Sequence, residues 1–113
     1  MAATDANRNA EATVDRMVRR IIRRFHPDKV ILFGSRASGK ASPDSDVDLL
    51  VVMPVAGSVL DKVVEIRCAL AGIRMSKDIL VVTPDSFRTR SDIVGTVAYE
   101  ASRRGRVLYA RGA

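Results

Sequence analysis

Three aspartates and a Gly-Ser pair are the reactive features of this sequence. Asp46 and Asp48 lie in Ser45-Asp46-Val47-Asp48-Leu49, at the start of an apolar run that reaches Met53. Side chains two apart on a strand project from one face, so these carboxylates point together. Crowding two such charges is costly unless a cation compensates, and Mg²⁺ prefers hard carboxylate oxygens. A third carboxylate, Asp78, opens the run Asp78 to Val82. If the two runs are neighbouring strands, the three aspartates converge on one end of a sheet. Such a cluster can hold two metal ions about 3.5–4 Å apart, one activating an attacking oxygen and one stabilising a departing phosphate.

Upstream, Gly34 to Lys40 reads GSRASGK, the first seven positions of the phosphate-binding pattern G-x-x-x-x-G-K-[ST]. The eighth position is Ala41, which has no hydroxyl for a metal, and Pro43 would cut short the long helix that a P-loop requires. Gly34 and Ser35 have a simpler use. A glycine at a strand end lets backbone approach a ligand, and Ser35, opening a short helix, offers N–H groups and a hydroxyl to phosphate oxygens. Arg36 or Lys40 could neutralise further phosphate charge. The blander readings are turn aspartates at 44–46, a solvated strand end at Asp78 and a surface pairing of Arg36 with Asp44.

These residues need elements to hold them. Val14, Met17, Val18, Ile21, Ile22 and Phe25 fall on one face of a helix closed by Pro27, and residues 1–10 read as a flexible tail ahead of a single domain over 11–113. Lys29 to Phe33 is β-branched without polar alternation, the pattern of a strand buried on both faces. Val47 to Met53 has the same character. Ser58 to Ile73 reads as a helix with Val59, Leu60, Val63, Val64, Leu70 and Ala71 inward, and 91–104 as another with Ile93, Val94, Val97, Ala98 and Ala101 on one face. Val107 to Tyr109 suggests a last strand. The sum is an α/β (α+β) fold: a small mixed sheet with helices packed on it.

The 113 residues carry 19 Lys and Arg against 13 Asp and Glu, a formal charge of +6, which suits polyanionic partners. Arg16, Arg19, Arg20, Arg23 and Arg24 concentrate that charge. With no Trp and 4% aromatics there is little material for base recognition, so nucleic acid is not the favoured partner and a solvated basic face is the plainer reading. Cys68 is the only cysteine and lies in an apolar stretch of helix, where core packing explains it better than nucleophilic chemistry. His26, the only histidine, stands at a helix end and suits the helix dipole better than a metal. No secretory signal or membrane span is apparent, and the cytoplasm is the expected location.

Gly34-Ser35-Arg36-Ala37-Ser38-Gly39 followed by Ser45-Asp46-Val47-Asp48-Leu49 and a later strand-start Asp78 resembles the minimal nucleotidyltransferase (MNT) group of the DNA polymerase β-like superfamily. The resemblance implies a polymerase-β-palm-like fold and transfer of AMP from ATP to an acceptor hydroxyl, with Mg²⁺ as cofactor, two ions in all. Asp46 and Asp48 would bind both metals, and Asp78 would bind the catalytic metal and help to activate the acceptor. Gly34 and Ser35, with Arg36 and Ser45, would hold the nucleotide. Members of this size commonly pair with a helical HEPN toxin and act as its antitoxin by adenylylating it. The alternatives are a partner-binding module that neutralises by occlusion alone, and a transferase acting on RNA or a small molecule.

Overall fold

The first helix, α1 (Asp5–Phe25), turns its apolar stripe of Val14, Met17, Val18 and Ile21 into the core. The structure, a computed structural model, describes residues 5–42 and 44–112. Residues 5–10, expected in a tail, are helical. Ala10 is buried one turn before Val14, so the inward stripe starts earlier than its large apolar members suggest. Residues 1–4 lie outside the described residues, as does Pro43. The helix stops at His26, whose φ of 49° is left-handed, and Arg111 near the other end of the chain donates to the His26 carbonyl.

Four strands follow: β1 (Lys29–Phe33), β2 (Val47–Val52), β3 (Lys77–Val82) and β4 (Arg106–Ala110). They form one mixed sheet in the order β3-β2-β1-β4. β1 runs antiparallel to both β2 and β4, while β2 and β3 are parallel. A parallel pair needs a crossover, and α3 (Val59–Ala69) supplies it. The short helix α2 (Ser35–Ser38) links β1 to β2, and α4 (Pro84–Arg90) and α5 (Val97–Arg104) link β3 to β4.

The two sheet faces are covered differently. Val30, Leu32, Leu49, Val51, Ile79 and Val81 pack with residues of α1 and α3 in the main core. Ile31, Leu50 and Val52 face the other way, where Ala101 of α5 and Phe87 of α4 pack against them. Both middle strands are therefore buried on both faces, as their unbroken apolar runs predict. A register shift between Val30 and Ile31 in the β1–β4 pairing lets the adjacent Leu108 and Tyr109 both pack against the main core.

Two expected helices differ in ways that have physical reasons. In α3 the buried residues are Ile66 and Ala69, with Leu70 beyond its end, whereas Leu60 is 76% exposed and Val64 58%. That helix is apolar on several sides, so its sequence does not choose a stripe; docking against β3 does. Cys68, expected in the core, is exposed for the same reason. The single helix expected over 91–104 is broken. Gly95 (φ 92°) turns the chain, and the Thr96 side chain accepts from the Tyr99 N–H to start α5, which leaves Ile93 and Val94 exposed before it.

Removing the side chain that α3 buries should cost far more than removing one it exposes. Ile66→Ala is expected to lower unfolding free energy by about 2–5 kcal/mol, and Leu60→Ala by less than about 0.5 kcal/mol. Urea titration of the two variants checks the assignment of the inward face.

Candidate active site

β1 ends beside the point where β2 and β3 begin, and the register brings the proposed residues together there. Phe33 pairs with Asp48, and Asp48 pairs with Asp78 across the parallel β2–β3 ladder. Paired residues share a face, so Phe33, Asp48 and Asp78 form a row on the side that α4 and α5 partly cover. The Val47 N–H donates to the Ser76 carbonyl at 2.9 Å, which fixes the two strand starts against each other. Asp48 is half-buried; Asp46 and Asp78 are exposed.

The electrostatics follow from that placement. Burial pushes the Asp48 carboxyl above its ordinary range, and the charges of Asp78 and then Asp46 push it the same way. No cationic side chain among the described residues pairs with any of the three aspartates. As placed, the carboxylates do not converge on one point: among the described residues no three acid, imidazole or thiol groups are close enough to hold an ion. The donor chemistry nonetheless suits Mg²⁺, being all hard oxygen and charged, and the Asp48 carboxylate sits where a cation would offset both its burial and its neighbours.

Gly34 lies against this row. Its φ is 76°, and a Cβ there would collide with Asp48 Oδ2. Glycine is thus required twice over, by backbone conformation and by the closeness of the carboxylate. Ser35 begins α2, which Gly39 ends in a left-handed conformation at φ 79°. A helix of this length is not that of a P-loop, and Lys40, which would complete that pattern, is exposed beyond it.

Arg36 and Ser45 have been given uses inside the protein. Arg36 donates from Nε (3.1 Å) and Nη2 (2.7 Å) to the carbonyl of Ser45, the residue before Asp46. The Ser45 hydroxyl accepts from the Ser42 N–H at 2.9 Å, and the Ser45 N–H donates to the Ser42 carbonyl. Arg36 therefore ties the connecting loop to α2, and Ser45 closes that loop on itself through Ser42. No residue type signals this contact, since a main-chain acceptor leaves no mark on the sequence. His26 and Cys68 lie outside the row and join no metal-ligating group among the described residues.

A model of the nucleotidyltransferase domain matches residues 14–107. The chain belongs to the nucleotidyltransferase domain family. This nucleotidyltransferase is similar in fold to a candidate nucleotidyltransferase from Sulfolobus solfataricus, with a TM-score of 0.67 and 19% identity over 98% of this chain and 93% of the other. It is also similar to a chain of a toxin–antitoxin structure with AMP-PNP, with a TM-score of 0.52 and 16% identity over 96% of this chain and 76% of the other. None of the curated proteins matches it. The mixed α/β architecture expected from the sequence is that of these fold neighbours.

Two outcomes test the geometry of this nucleotidyltransferase. Because the Asp48 pKa is raised on folding, the native state holds its proton more tightly than the unfolded chain, so stability is lost as pH rises from the ordinary carboxylate value through the raised one. Asp48→Asn should remove that loss, with melting temperature at neutral pH equal to or above wild type and a flatter profile above the ordinary carboxylate value. Gly34→Ala should cost more than about 1 kcal/mol, and part of that cost should vanish when Asp48 is also changed to Ala, as a double-mutant cycle in urea would report.

Proposed function

We propose that this nucleotidyltransferase transfers AMP from ATP to a hydroxyl of a partner protein, and that the partner is a HEPN-type toxin for which it serves as antitoxin. The observation that carries the reading is the in-register pair Asp48 and Asp78, with Asp46 close enough to raise the Asp48 pKa and Gly34 held against the same carboxylate. The toxin–antitoxin fold neighbour with AMP-PNP supports both the nucleotide and the protein partner. The working unit is proposed to be a single domain that includes the whole of α1. A cytoplasmic setting agrees with an exposed Cys68, and no helix among the described residues is long and apolar enough to cross a membrane.

In this mechanism Asp46 and Asp48 would hold Mg²⁺, with Asp78 as a further ligand of one of two ions. Bound there, the metal would offset the triphosphate charge and ease ionisation of the acceptor hydroxyl. Gly34 leaves room for the triphosphate to approach the backbone, and Ser35 can hydrogen-bond its oxygens. Arg36 acts indirectly, holding the Ser45 carbonyl and with it the start of Asp46-Val47-Asp48. The acceptor oxygen attacks the α-phosphorus, the bond to the β-phosphate oxygen breaks, and pyrophosphate leaves. Asp78 is the carboxylate assigned to take the acceptor's proton.

Labelled ATP, Mg²⁺ and a candidate HEPN partner are expected to give a labelled partner, with Asp46→Asn, Asp48→Asn and Asp78→Asn each slowing labelling on the order of a hundred-fold or more. Chelation of the metal should stop it. Partner inhibition that continues undiminished in all three variants, with no label on any acceptor, would show binding by occlusion instead.

A further inference from the structure

A concave site lies away from the aspartate row, on the sheet face that α1 covers. It is a groove of about 700 Å³ between the amino-terminal half of α1, the α2 loop and β4. Its floor is apolar, formed by Val14, Val18, Leu32 and Leu108. Leu32 and Arg106 are cross-strand partners and share that face, whereas Phe33 and Asp48 share the opposite one. The sheet itself thus separates the groove from the carboxylates, none of which lines it.

The charges at its edge are arranged unevenly. Arg8, Arg36 and Arg106 reach it from three different elements. Glu11 and Asp15 stand one turn apart on α1. Asp15 is committed to Arg19 at 2.6 Å, but Arg8, Glu11 and Arg106 form no ion pair among the described residues. Guanidinium groups favour phosphate, a carboxylate accepts from hydroxyl or amine donors, and an apolar floor takes a flat ring. The volume is within the usual range of small-molecule sites, about 300–1,000 Å³.

We propose that this groove binds a nucleoside monophosphate, with its phosphate toward Arg106 and Arg8, its ribose or base donors toward Glu11, and its base on the apolar floor. The site is linked to the aspartate row through Arg36, which lines the groove and also holds the Ser45 carbonyl just before Asp46. A ligand there is therefore placed to influence the loop that delivers the carboxylates. The site needs no metal, so it stands or falls separately from the transferase reading.

The test is calorimetric titration of the full chain with AMP in EDTA, with inorganic phosphate as a second probe. Wild type and Asp48→Asn are expected to bind AMP alike, and phosphate about ten-fold or more weaker. Arg106→Glu, at an exposed position, and Ala12→Trp, which fills the groove from the exposed side of α1, should each weaken AMP by about ten-fold or more. Unchanged melting temperature without ligand shows that either variant is folded, so one suffices if the other is not. The proposal is overturned if wild type does not bind AMP without metal, if phosphate binds as tightly as AMP, or if Asp48→Asn loses binding while Arg106→Glu keeps it. Binding unchanged in both groove variants would overturn it as well.

Discussion

The open end of this sheet depends on the in-register parallel pairing of β2 with β3. It sets Asp48 directly beside Asp78, with strand backbones about 4.8 Å apart. A slip of one residue would send Asp78 to the opposite face and put Lys77 in its place. Register is held by burial: Leu49 and Val51 pair with Ile79 and Val81, and all four are at most 5% exposed. The apolar interior of the sheet therefore decides where the charges at its end must stand.

That placement puts like charges together, and the protein does not relieve it with its own cations. Nineteen Lys and Arg side chains are present, yet none pairs with the three aspartates among the described residues. The positive charge is spent elsewhere. Arg20 donates to the carbonyls of Ala69 and Ala71 near the end of α3, Arg111 to that of His26, and Arg36 to that of Ser45. A cluster whose own fold leaves it repulsive is suited to bind cations from solution; the Asp48 carboxyl is pushed up by burial first and by that repulsion second.

Arg36 connects two parts of the molecule that residue types alone keep apart. Its guanidinium joins α2 to the carbonyl before Asp46, and the same side chain borders the groove behind the sheet. The segment from Gly34 to Asp48 thus works as one unit. Gly34 meets Asp48 directly, Arg36 ties the loop back, and Ser42 with Ser45 closes the turn between them.

The strands that carry the site are legible in residue types alone, because β-branched runs without polar alternation have few other stable uses, and Asp46, Asp48, Asp78, Gly34 and Ser35 stand out in the same way. Ala41, which lacks the hydroxyl, and Pro43 already argue against a P-loop in the sequence, and the four-residue length of α2 agrees. Packing, in contrast, settled which side of α3 is buried, because Leu60, Val64 and Ile66 are alike as apolar residues and contact with β3 alone separates them. It likewise decided that Asp48 and Asp78 are neighbours, that Arg36 holds a main-chain carbonyl, and that Gly95 divides the last helical stretch. Those outcomes rest on strand order, docking and backbone acceptors, which depend on contacts between distant segments and are not written in the residue types of any one of them.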